Sequence, residues 1–67
     1  MKINPSTLAR AIAHRLESAE AIYLHVAPEK AAVAEYLLDT TIDLYLKNRC
    51  WLEISADHTL LVITRRE

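Results

Sequence analysis

A chain of 67 residues has room for one small hydrophobic core and excludes a second domain of ordinary size. With 52% apolar and 25% charged residues and a net charge of −1, it has the profile of a chain that folds, not of a disordered one. No stretch approaches the roughly 18 to 20 apolar residues of a membrane span, and the N-terminus lacks a charged-then-apolar signal segment, so the expectation is an unprocessed cytoplasmic protein with no membrane partner.

The predicted elements run from a first helix at Asn4-Pro5-Ser6-Thr7, where Asn4 is suited to cap free N–H groups and Pro5 to open the first turn. Leu8, Ile12 and Leu16 recur at four-residue steps with Ala9 and Ala13 beside them, which predicts a helix from about Pro5 to Ser18. From Ala21 to Ala27, Ile22, Leu24 and Val26 alternate with Tyr23 and His25, the period of a strand with one face on a core. Pro28 ends it. Glu29 to Asn48 contains no glycine or proline, and Ala31, Ala34, Leu38, Ile42, Tyr45 and Leu46 trace a helical stripe. Val33, Leu37 and Leu44 widen that apolar surface beyond what covering a sheet requires, which points to a partner.

The C-terminal part reads as a hairpin: Trp51 to Ser55, a turn at Ala56-Asp57-His58, and Thr59 to Arg65. Leu52 and Ile54 alternate with Trp51, Glu53 and Ser55, and Leu61 and Ile63 with Leu60 and Val62. If Leu52 and Ile54 face the helices, Trp51 shares the other sheet face with Tyr23 and His25; folding over the end of the second helix is the alternative place for that ring. A short strand at Met1 to Ile3 completes the order. The expected fold is α/β (α+β): a single β-α-β-α-β-β domain over residues 1–67, with both helices on one face of a mixed sheet.

The near-zero total hides a direction of charge. Residues 17–43 hold six acidic side chains against Lys30 alone, whereas the rest of the chain holds seven basic against three acidic. Glu35, Asp39 and Asp43 follow at steps of four and line one helix face, either a solvated face or a docking surface for a basic partner. No residue set stands in a catalytic or metal-binding spacing. His14 reads as a helix-surface residue, His58 as a solvated turn residue, and Cys50, the single cysteine, as an inert buried thiol with no disulfide or thiolate zinc site available. The absence of glycine removes phosphate-cradling loops, so neither an enzyme nor a cofactor is expected. With no covalent or metal staple, oligomerisation is the usual support for a core this small, and a homodimer is expected. Tyr23, His25, Leu37, Leu44, Tyr45 and Trp51 are its interface candidates.

The stretches Asn4-Pro5-Ser6-Thr7-Leu8-Ala9-Arg10-Ala11-Ile12-Ala13, Ala21-Ile22-Tyr23-Leu24-His25-Val26-Ala27 and Lys30-Ala31-Ala32-Val33-Ala34 resemble, in this order, the Alba superfamily, and within it the stage V sporulation protein S group. That resemblance implies an Alba-like two-layer sandwich, of the kind also seen in a C-terminal initiation-factor domain. It also implies a dimer that binds DNA or RNA non-specifically, with Lys2, Arg10, Arg15, Lys30, Arg49, Arg65 and Arg66 as phosphate contacts. The loop Ala27-Pro28-Glu29-Lys30 and the minimal turn at Ala56 depart from the glycine-rich or basic segments of that superfamily. The same element order occurs in small sulfur carriers whose active cysteine precedes a proline, but here Asn4 precedes Pro5, so the nucleophile is missing. The competing expectation is a protein-interaction or adaptor module that uses the acidic helix face or the Tyr23/His25 sheet face.

Overall fold

The computed structural model describes residues 4–66. Its elements are α1 (Pro5–Arg15), β1 (Ala21–His25), a single 3₁₀ turn (Pro28–Lys30), α2 (Ala31–Tyr45), β2 (Cys50–Ile54) and β3 (Leu60–Arg65). The expected strand at Met1–Ile3, and with it the parallel pairing of a mixed sheet, lies outside the described residues. The described sheet is antiparallel, in the order β1-β3-β2. The last strand of the chain therefore takes the centre.

Local chemistry accounts for the element ends. The Asn4 side chain accepts from the Ser6 N–H at 2.9 Å, and Pro5 opens α1. The helix stops at Arg15, three residues short of Ser18: ψ opens to −6° at Leu16, and the Glu17 and Ser18 N–H groups donate three residues back, to the His14 and Arg15 carbonyls at 3.3 Å, so residues 16–18 form a turn. Pro28 starts not the α-helix itself but a tighter turn in which the Lys30 N–H donates to the Ala27 carbonyl at 2.9 Å, so α2 begins at Ala31. At the other end Leu46 leaves the helical region, and α2 closes at Tyr45 instead of reaching Asn48.

Both helices lie on one side of the sheet. Ala9, Ile12 and Leu16 of the first helical segment and Leu38, Ile42 and Leu46 of the second close over Cys50, Leu61 and Ile63. Leu61 and Ile63, the inward residues of the central strand, have no exposure at all. Thr41 is equally buried among these apolar side chains. Its hydroxyl donates to the Leu37 carbonyl one turn back, at 2.7 Å, so the polar atom costs no unsatisfied bond. Tyr45, grouped by spacing with the buried stripe, is instead half exposed at the helix end.

The hairpin turn works without glycine. The Asp57 carboxylate accepts from the Ser55 hydroxyl (2.8 Å), the Thr59 hydroxyl (2.8 Å) and the Thr59 N–H (3.1 Å). His58 takes the left-handed conformation (φ 62°). That conformation costs a non-glycine residue on the order of 1 kcal/mol. The His58 ring meets the Glu35 carboxylate at 2.9 Å and pins the turn to α2.

The hydrogen bonds from Ser55 and Thr59 hold the Asp57 carboxyl at about 2, below its ordinary 3.8. The native state thus keeps the carboxylate charged where the unfolded chain protonates it. The stability contributed by this group is complete above about pH 4 and is lost as pH falls towards 2. Asp57→Asn should lower the melting temperature at pH 7 and flatten the decline of melting temperature between pH 4 and 2. Identical pH profiles for the two proteins would remove Asp57 from the turn's stability.

Candidate interaction surface

Strand register sorts every sheet residue onto one of two faces. Tyr23 pairs with Val62, which pairs with Glu53; Ala21 pairs with Thr64, which pairs with Trp51; His25 pairs with Leu60. These eight residues form the face turned away from the helices, and no described element covers it. Tyr23 is 66% exposed and Trp51 37% exposed, on strands that flank the central one, with Val62 and Thr64 between them and Leu60 beside His25. The sequence expectation that Trp51 shares a face with Tyr23 and His25 matches this register.

Trp51 is held in place from two sides. Its indole Nε1–H donates to the Glu53 carboxylate at 2.9 Å, and the Arg66 guanidinium lies 5.5 Å from the ring centroid, within range of a cation–π contact. Thr64 Oγ1 donates to the same Glu53 oxygen at a long 3.5 Å. The result is a preorganised aromatic platform whose polar edge is satisfied within the sheet and whose remaining ring surface is open. Rigid aromatics with few torsions are efficient contact residues because little side-chain entropy is lost on binding.

The other interface candidates are elsewhere. Val33, Leu37 and Leu44 fall on one side of α2 at helical spacing, with Val33 and Leu44 largely exposed, and Tyr45 sits at that helix's C-terminal end. Because α2 lies on the opposite side of the sheet, the six residues Tyr23, His25, Leu37, Leu44, Tyr45 and Trp51 form two surfaces and not one.

The basic candidates are similarly divided. The strands place the Arg49/Arg66 backbone pair at one end of the sheet, joined by the Arg66 N–H to Arg49 carbonyl bond at 2.8 Å, whereas Lys30 follows the far end of β1. Arg49, Arg65 and Arg66 do share a cleft of about 270 Å³ with Leu16 and Asn48. Within it Arg65 is committed: its Nη1–H donates to the Leu16 carbonyl at 2.9 Å, satisfying an otherwise free acceptor at the end of α1. Arg10 and Arg15 are exposed along α1, and Lys2 lies outside the described residues.

The remaining reactive groups are quiet. Burial pushes the Cys50 thiol upward, against the opposing pull of the Arg66 charge, which disfavours a thiolate. His14 faces solvent 3.8 Å from Glu17, and His58 is taken up by Glu35. Among the described residues, no group of three His, Cys, Asp or Glu side chains is placed to hold a metal ion. No described helix is long and apolar enough to cross a membrane.

Comparison of the chain with protein-family models, with curated proteins and with solved structures finds no match.

The Arg65 contact gives a test of structural against recognition roles. Arg65→Met keeps the aliphatic stem and removes the donor, at a cost of about 1 kcal/mol. For a domain of this size that corresponds to roughly 4–8 °C in melting temperature. An unchanged melting temperature would free Arg65 from its structural assignment.

Proposed function

We propose that this domain is a small interaction module whose helix-free sheet face, centred on Tyr23, Val62 and Trp51, contacts a second copy of the chain. The supporting observation is the pair of exposed aromatics, Tyr23 and Trp51, flanking Val62 and Thr64, with Leu60 further along the central strand, on a face that no described element covers. Charge is sparse there: Glu53 is occupied by the Trp51 indole, Arg66 stacks at one corner, and His25 sits at the other end. A surface with an apolar centre and few charges is self-complementary across a twofold axis, where like charges must not oppose one another.

Nucleic-acid binding is the second reading, favoured by one observation: Arg49, Arg66 and Lys47 gather beside Trp51 at one end of the domain. A base stacked on an aromatic with nearby cations is a familiar mode of single-strand binding. It ranks second because Lys30 lies at the other end, Arg65 is engaged, and Asp39 and Asp43 share the depression that holds Lys47 and Arg66.

Sedimentation at low micromolar concentration separates the readings. Self-contact predicts a species heavier than 7.6 kDa that reverts to monomer in Trp51→Ala and in Tyr23→Lys, with helix and strand content retained. A 7.6 kDa species alone in the unsubstituted protein contradicts it. Nucleic-acid binding predicts retention on DNA- or RNA-loaded resin at about 50 mM salt that is lost by about 300 mM. No retention at low salt contradicts that reading.

A further inference from the structure

The sheet has a second open feature, independent of its exposed face. In the β2–β3 ladder, the Ser55 N–H donates to Leu60 and the Arg66 N–H to Arg49, so the hydrogen-bonded pairs are 49/66, 51/64, 53/62 and 55/60. The N–H and C=O groups of Cys50, Leu52 and Ile54 consequently point away from β3, out of the sheet edge. The Cys50 N–H is taken by the Leu46 carbonyl at 3.3 Å. Those of Leu52 and Ile54 have no hydrogen-bond partner among the described residues.

This edge is also the floor of a groove. Between α2 and β2 runs a depression of about 440 Å³ lined by Ala32, Glu35, Tyr36, Asp39, Leu52 and Ile54. Tyr36 is 75% and Ile54 41% exposed, although Ile54 belongs to the inward face of its strand. The groove continues through Asp39 and Leu52 into a second depression that adds Asp43, Lys47 and Arg66. Its walls therefore carry carboxylates along α2 and cations only at the end where β2 begins.

We propose that the α2–β2 groove binds an extended basic segment of another protein, which adds to the sheet as a fourth strand along β2. Main-chain bonds to Leu52 and Ile54 supply affinity, alternate apolar side chains of the segment pack on Tyr36, Leu52 and Ile54, and its lysine or arginine side chains face Asp39 and Asp43, Glu35 being held by His58. The segment runs antiparallel to β2, which brings its C-terminal end towards Lys47 and Arg66. A second copy pairing β2 to β2 about a twofold axis would set its Lys47/Arg66 end against the Ile54 end of the first, and the experiment below separates that occupant from a basic segment. The proposal rests on the reading of the chain as an interaction module and not on the self-contact of the open face.

The experiment titrates the full chain against a fluorescein-labelled octapeptide of alternating valine and lysine and reads anisotropy. Two control peptides carry glutamate for lysine, or proline at the two central valines. Saturable binding is expected, weakened at least tenfold by either control and at least tenfold by Ile54→Lys or Asp39→Lys. Circular dichroism and Trp51 fluorescence check that both variants keep the fold. Equal binding of the proline peptide, or binding unaffected by both substitutions, overturns strand addition. Loss of peptide binding in Tyr23→Lys but not in Ile54→Lys overturns the groove while leaving the interaction module standing. No binding, together with an assembly that Ile54→Lys reduces to monomer, assigns the edge to a second copy and overturns the proposal.

Discussion

The burial of Leu61 and Ile63 organises this molecule. They belong to the strand that is last in sequence and central in the sheet, and their zero exposure requires cover from above by both helices at once. Among the described elements, α1 and α2 supply that one layer. Pleating then forces Leu60, Val62 and Thr64 to the far side, and register carries Tyr23 and Trp51 with them. The exposed aromatic face is thus the geometric complement of the core.

Much of this was legible in the residues. Period-two alternation in 22–26, 51–55 and 60–63 was enough to sort side chains between the two faces, because a one-residue error would have exchanged every one of them. Period four in Leu8, Ile12 and Leu16 gave α1 its buried side. Helix ends were less legible: without glycine, α1 and α2 terminate by gradual departure at Leu16 and Leu46, and no residue type announces it. The burial of Thr41 is not visible in the sequence because a hydroxyl reads as polar, although a mid-helix threonine can satisfy itself on the carbonyl four residues back. Helical phase groups Tyr45 with the core because it cannot show where the sheet beneath the helix ends.

The candidate sites were harder to read than the fold. By sequence the arginines are equivalents, but in the fold Arg65 caps α1 across 49 positions of chain while Arg66 stacks on Trp51. The acidic run Glu35, Asp39, Asp43 is visible by spacing; that Glu35 and Asp39 lie beside a strand edge unpaired among the described residues is not, because the neighbour of β2 is decided by tertiary placement. An edge strand with free backbone groups invites pairing, and carboxylates beside it restrict which strands are accepted. Among the described residues, the helix layer leaves open the aromatic face and the β2 edge, on which the proposed contacts rest.

Amide hydrogen exchange resolved by residue tests that account most directly. β3 is bonded on both sides under full cover, so the Leu61, Val62 and Ile63 amides should be the slowest to exchange, near the rate set by global unfolding. The Leu52 and Ile54 amides of the isolated protein should exchange orders of magnitude faster, although both residues lie in the same sheet. Protection at Leu52 and Ile54 equal to that of β3 would show the edge already covered and would contradict the account.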